Sequence, residues 1–513
     1  MSSSRTANSA RNVSVGLVTQ LALAILSFVS RTVFVSTLGA QLLGVNALLV
    51  SLLAVLSLAD LGLNTAVMYA LYRPLEEGDT RAVNGLLGFC ALLYRYVALA
   101  VTCIGLALLP FVGDLVHGGA KVEHLEVYYL AFVANTVIGY LMAFRSVLLI
   151  ADQRLYLTKV YAGVFTGLGT LAQILVLLTL HSYLAYVLIM VLSTALSNAF
   201  IFRHAGRLYP YIRGPRTRLD TEERRGVLHA VRAMVIYRVG GVILNNTDPI
   251  LISVIVGTAA LGYYSNYMLV VGAAMTFTDL VFTSLGASVG NLIARSDGAN
   301  RIRVFEEIHL LAFWIYGLIS VGFVVLLGDV IGYWLGEQYM LSDAVLVGVV
   351  LNFYMYGVTS SVLVFRTATG LFRDTQYVFL VTAALNIVLS VVLGREFGVP
   401  GVLYATALSR LLTNLWFEPL VLFRRYLFER VSPYFLRQVG FAALLVAACV
   451  ITRAATSFLA ADTLLGLVAK ALLTVLIPNA LFVVVFHRSA TFVALRDRLW
   501  SLLAGRGAAR PTD

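Results

Sequence analysis

The chain has 513 residues, of which 60% are hydrophobic and only 12% charged, and its mean hydropathy is +0.89. A soluble globular chain carries about 25% charged residues, so that class is excluded. The net charge of +11, from 37 lysines and arginines against 26 acids, is accounted for by basic loops on the inner side of a membrane rather than by nucleic acid.

Apolar runs recur from end to end and predict about fourteen spans. They lie near 13–37, 42–70, 85–110, 126–150, 160–180, 184–203, 229–256, 259–290, 306–328, 344–365, 376–394, 400–422, 438–457 and 464–486. The runs are continuous rather than alternating, which argues against a β-barrel. The opening "MSSSRTANSARN" is polar, and the run after it is too long for a signal-peptide core, so it is expected to stay as the first helix. With both termini inside, the inner segments hold roughly 28 basic residues and the outer ones about two. The basic residues include Arg207, Arg213, Arg216, Arg218, Arg224 and Arg225 in the central loop and Arg424, Arg425, Arg430 and Arg437 later.

The expected organisation is an N-terminal six-helix lobe over 1–203, a basic cytoplasmic loop over 204–228 and a C-terminal six-helix lobe over 229–422. An extra pair of spans over 438–486 and a cytoplasmic tail over 487–513 follow. The tail is read as a short amphipathic helix and then disorder. The two lobes echo each other. "LGAQLLGVNAL" answers "VGTAALGYYSN", aligning Gly39 with Gly257 and Gly44 with Gly262; "SLADLGL" answers "TFTDLVF", aligning Asp60 with Asp279; "STALSN" answers "ATALSR". The order and spacing of the matches predict a parallel repeat of a six-helix unit about an axis along the membrane normal, a transporter layout with its site between the lobes.

Ionisable residues inside these spans are costly in lipid and mark functional sites by default. Arg145, Arg453 and Lys470 lie close enough to helix ends to snorkel. Arg31 and Arg238 sit in the first helix of each repeat, and Arg410 sits inside the twelfth span. In "VILNNTDPILIS" the polar Asn245, Asn246 and Asp248 precede Pro249, which is expected to break or kink the helix. Arginine offers paired donors to phosphate and keeps its charge when desolvated, so the candidate substrate-binding residues are Arg31, Arg238, Arg410, Asn245 and Asn246, facing an anionic ligand. Asp60, Asp248 and Asp279 are the candidate cavity acids or ion-coupling residues; an internal Arg238–Asp248 pair is the structural alternative. The three cysteines, Cys90, Cys103 and Cys449, show no metal-ligand spacing and are read as buried thiols. No phosphate-binding loop, metal-ligand motif or nucleophile–base pair stands out, so the expectation is a non-enzyme without cofactor or metal.

The opening helix with its "LGAQLLGVNAL" turn and "ADLGL", together with the "GVPGV" turn, "ATALSR" and closing "EP" of the C-terminal lobe, resembles the Wzx-type polysaccharide and lipopolysaccharide biosynthesis flippases. These belong to the multidrug/oligosaccharidyl-lipid/polysaccharide exporter superfamily. The resemblance implies an all-α fold, two six-helix bundles in a V around a cationic cavity plus an extra helix pair. It implies movement of an undecaprenyl-pyrophosphate-linked oligosaccharide from the cytoplasmic to the outer leaflet of the bacterial plasma membrane, by alternating access. It places Arg31 and Arg238 on the pyrophosphate, and a polysaccharide polymerase, glycosyltransferases and membrane lipids as partners. The alternatives are a cation-coupled multidrug exporter and a lipid II flippase. A membrane glycosyltransferase or polymerase is a further one, resting on Asp114, His117, Glu123 and His124 of an outer loop.

Overall fold

The computed structural model describes residues 2–57, 63–117, 122–213, 219, 221–295, 298–371, 373–459 and 462–503. Every regular element among them is helical, as the continuous apolar runs require: α1 (Ser2–Leu56), α2 (Leu63–Glu77), α3 (Thr80–Leu108), α4 (Leu125–Ala151), α5 (Leu155–Leu180), α6 (Tyr183–Leu208), α7 (Thr221–Ile255), α8 (Thr258–Arg295), α9 (Gly298–Gly322), α10 (Gly328–Leu335), α11 (Asp343–Val358), α12 (Ser360–Thr369), α13 (Val378–Phe397), α14 (Val399–Leu412), α15 (Asn414–Leu422), α16 (Ser432–Thr456), α17 (Leu464–Phe486) and α18 (Ala490–Leu503). Two compact units divide the chain, residues 1–265 and 266–513, so the division falls within α8.

Eleven helical stretches among the described residues are long and apolar enough to cross a membrane. Three expected spans do not stand alone in that number, each for a local reason. The first and second merge into one helix that bends at Gly39, whose backbone leaves the helical region (φ 77°, ψ 178°). The seventh is diluted by its polar residues, leaving a shorter apolar piece, Val239–Ile255. The twelfth is broken at Thr413 (φ −129°, ψ −93°) into α14 and α15.

In the first unit α1 packs along α5 and α7, and α3, α4, α5 and α6 pack in succession. The core between α2, α3, α4 and α6 is built on Val67, Leu87, Tyr94, Leu148 and Ala205. Apolar Val164, Leu168, Leu171, Leu175 and Leu178 of α5 remain exposed at helical spacing. A contiguous apolar face of that kind is stable against lipid, not water. Helix α6 continues to Leu208 and α7 begins at Thr221, so the polar stretch between them is shorter than the sequence suggested. Its start is pinned by the Tyr209 hydroxyl, which donates to Asp152 (2.5 Å), itself paired with Arg154 (2.9 Å). Burial, reinforced by that carboxylate, pushes the Tyr209 phenol above its ordinary range.

In the second unit α13 and α14 form a tight antiparallel pair. Gly398 turns the chain with φ 66°, and a methyl on Gly401 would meet the Leu393 carbonyl at 2.0 Å. The additional C-terminal helices α16 and α17 dock on α9 through stacked Phe313 and Phe441 (4.3 Å between ring centres) and Phe482. Polar clamps fix the joint: Trp314 donates to Asn479 (2.8 Å), Arg437 pairs with Glu306 (2.6 Å), Arg453 with Asp343 (2.9 Å) and Lys470 with Asp329. Arg453 and Lys470 are therefore engaged by carboxylates. Among the cysteines only Cys90 is buried; Cys449 is partly covered and Cys103 exposed, which corrects the reading of all three as buried. Cys103 lies on an outward face of α3, where a thiol sits as readily as another small apolar group.

Candidate functional site

Two glycines determine how α1 approaches α8. A methyl on Gly44 would lie 1.8 Å from the Thr258 carbonyl oxygen, and one on Gly262 would lie 1.9 Å from the Ala40 carbonyl oxygen. Each glycine thus faces the other helix's backbone, and no larger residue fits at this separation. Gly39 and Gly257, which the sequence echo aligns, both have positive φ, 77° and 132°. One turn beyond Gly262, Ser265 comes within reach of Arg31, whose Nη1 donates to the Ser265 hydroxyl at 2.9 Å. The Ser265 hydroxyl in turn donates to the Gly262 carbonyl (2.8 Å).

Arg31 is half-buried and, among the described residues, meets a hydroxyl and no carboxylate. The Tyr186 phenol of α6 lies within electrostatic range of it. Around this point Phe34, Tyr128, Tyr183 and Tyr186 pack edge-to-face or stacked, with Tyr183 donating to Asn46 (3.2 Å). The result is an intramembrane cation with an aromatic flank and spare donors. A guanidinium has five N–H groups, and one serine oxygen uses one of them.

The other expected residues divide between the units. In the first, Asp248 is buried and faces Tyr264. Asn246 turns its amide back to the Val242 carbonyl one helical turn away (2.8 Å), and Asn245 is exposed. Pro249 does not break α7, which runs uninterrupted from Thr221 to Ile255. A proline can be held in a membrane helix when neighbouring groups satisfy the backbone carbonyl it leaves without a donor. In the second unit the Tyr356 hydroxyl donates to Asp279 (2.9 Å), and Arg410 stands within electrostatic range of the same phenol. Asp279 and Arg410 thus converge on one tyrosine. Asp60 lies outside the described residues, as does the side chain of Arg238.

The chain also holds a buried ion pair: Glu418 is legible in the sequence as an acid inside a span, and its partner Arg366 is what sequence reasoning missed. Arg366 and Glu418 pair with side chains only 1% and 3% exposed, with Thr375 and the Phe379 ring beside the guanidinium. Arg366 follows the apolar "SSVLVF" so closely that it reads as the end of a span. Tyr186, Tyr264 and Tyr356 were missed as well, although a tyrosine inside an apolar run is a signal, because its hydroxyl needs a partner there.

Of the outer-loop residues weighed for catalysis, His117 gives its backbone carbonyl to the Thr258 amide (2.9 Å), and the neighbouring Leu115 carbonyl accepts from Ser253 (2.8 Å). Among the described residues no group of three His, Cys, Asp or Glu side chains is gathered in a way that could hold a metal ion.

No family model matches the chain, and no curated protein matches it. Solved structures do. A lipid II flippase, MurJ, in an inward closed conformation covers 92% of this chain and 99% of its own at 12% identity, with a TM-score of 0.64. An inward-facing multidrug resistance MATE transporter of the MOP superfamily covers 78% and 96% at 14% identity, with a TM-score of 0.58. A Vibrio cholerae MATE transporter, VcmN, covers 83% and 99% at 14% identity, with a TM-score of 0.57. The polytopic all-α fold of this chain is therefore one that a lipid II flippase and MATE transporters also have.

Proposed function

We propose that the protein is a flippase of the multidrug/oligosaccharidyl-lipid/polysaccharide exporter superfamily, and that it carries an undecaprenyl-pyrophosphate-linked oligosaccharide from the cytoplasmic to the outer leaflet of a bacterial plasma membrane, without enzymatic chemistry of its own. The observation that carries the reading is Arg31: a permanently charged group inside the first span that donates to Ser265 and, among the described residues, pairs with no acid, so that it keeps donors to spare. A pyrophosphate presents several charged oxygens that accept the paired N–H donors of a planar guanidinium. The fold shared with MurJ, a lipid II flippase, supports transport of a lipid-linked cargo. Arg238 is assigned the equivalent role in the second repeat, with Arg410, Asn245 and Asn246 as further polar contacts. Asp60, Asp248 and Asp279 are assigned to the coupling ion. Asp279 hydrogen-bonded to Tyr356 is an acid beside an aromatic ring, and this favours a cation-coupled exporter as the second reading.

The test is flipping of a fluorescent undecaprenyl-pyrophosphate oligosaccharide in proteoliposomes, with lipid II and a cationic dye as competing cargoes. Flipping by the wild type that is lost in Arg31→Ala and in Arg238→Ala supports the reading. Transport of the dye alone turns it to the exporter, and transport of lipid II alone to a lipid II flippase.

A further inference from the structure

A small cleft in the second unit lies where the start of α9, the stretch after α15 and the start of α16 meet, beside the joint that docks the C-terminal helices. It encloses about 90 Å³, room for a few heavy atoms and far less than a drug-sized ligand needs. Phe305, Phe423 and Tyr434 form aromatic walls, and His309 lines the cleft among them, its ring 5.8 Å from Phe305 and 4.9 Å from Tyr434. His309 is 2% exposed. Its Nδ1 meets the Ser361 hydroxyl at 3.1 Å, while Nε2 has no hydrogen-bond partner among the described residues. A buried ring nitrogen left alone is costly, and with Nδ1 protonated toward Ser361 the orphan Nε2 is an acceptor waiting for a donor.

The charges at this cleft are balanced. Glu306 pairs with Arg437 at 2.6 Å, and Glu429 and Arg430 stand exposed on the same wall. A simple anion would meet two glutamates there, and a metal ion two arginines. A zwitterion satisfies both. Next in the chain to Glu429 and Arg437, Phe428 and Leu436 are 77% and 75% exposed. Apolar side chains standing out next to arginines are the mark of the boundary between headgroups and hydrocarbon.

We propose that this cleft binds the phosphoethanolamine headgroup of a membrane lipid: the primary ammonium enters between the aromatic rings, donating to His309 Nε2 and Glu306, and the phosphate stays at the mouth on Arg430. Rings around a cation add attraction of their own. The acyl chains lie against Phe428 and Leu436, which makes a lipid rather than a free amine the occupant. The site is independent of the cargo reading above.

The test uses the full chain in detergent. Native mass spectrometry measures retention of phosphatidylethanolamine, phosphatidylcholine and phosphatidylglycerol with identical chains, with soluble O-phosphoethanolamine as a competitor. Retention of phosphatidylethanolamine about tenfold above the other two is expected, since choline has no N–H to give His309 and glycerol no cation. Glu429→Gln and His309→Phe, the latter keeping an aromatic ring in place, are each expected to lower it, with unchanged unfolding temperature reporting an intact fold; Glu306→Gln is expected to lower it as well, together with a loss of stability from the broken Arg437 clamp. If His309→Phe does not fold, the exposed Glu429→Gln and the choline lipid decide. Equal retention of the choline or glycerol lipid, or undiminished retention in the glutamate variants, overturns the proposal. Displacement by O-phosphoethanolamine at concentrations equal to the lipid overturns the lipid as its occupant.

Discussion

The substitution Gly262→Ala tests the helix crossing on which the Arg31 site rests. The new methyl would stand 1.9 Å from the Ala40 carbonyl oxygen and 2.8 Å from its carbon, where ordinary contact begins at 3.4 Å. Both obstructing atoms are backbone, so no side chain can rotate aside, and α1 and α8 must part by about 1.5 Å. Overpacking of this kind costs about 1–3 kcal/mol, and the rigid partner places this case at the upper end. For a unit of this size the loss corresponds to an unfolding temperature lower by roughly 5–10 °C. The same separation carries Ser265 away from Arg31. Unfolding of detergent-solubilised protein, followed by the loss of its monodisperse elution peak, measures the shift. Gly272→Ala is the control, because a methyl there meets nothing within 4 Å. Gly44→Ala, which faces the Thr258 carbonyl at 1.8 Å, is expected to match Gly262→Ala. The double variant is expected to cost less than the two singly, since one separation relieves both clashes. An unfolding temperature for Gly262→Ala equal to that of the wild type refutes the close crossing.

Arg31→Ala is expected to reduce flipping of the pyrophosphate-linked substrate by about 10- to 100-fold, the worth of a charge-assisted hydrogen bond or two. Unchanged flipping rates in proteoliposomes would make Arg31 structural. Arg366→Met leaves Glu418 buried without its partner and is expected to cost about 3–5 kcal/mol, read from denaturation in mixed micelles; adding Glu418→Leu should restore most of it, because an apolar pair needs no desolvation. Tyr209 has a folded pKa raised by burial and by Asp152. Its contribution to stability is therefore complete below the unfolded value of about 10 and is lost as pH rises through the folded one. Stability should fall with pH above about 10 in the wild type and fall less steeply in Tyr209→Phe; identical alkaline slopes would refute the coupling.

The all-helical membrane fold was legible in the chain because hydropathy is summed locally: each run of apolar residues commits itself to lipid whatever the others do. Gly39, Gly44, Gly257 and Gly262 were legible as a repeated pattern, and so was the anomaly of Arg31. What Arg31 touches was not. Ser265 is 234 residues away, and only the crossing of α1 with α8 brings its hydroxyl to the guanidinium. Arg366 looked like the end of a span until α15 delivered Glu418 to it, and Asp279, a candidate cavity acid, gained a partner only when α11 brought Tyr356. Pro249 was expected to break or kink its helix, and α7 continues through it without a break. A sequence states which groups are expensive to bury. Whether each is satisfied, and by which partner, depends on contacts between distant segments, and those exist only once the helices have packed.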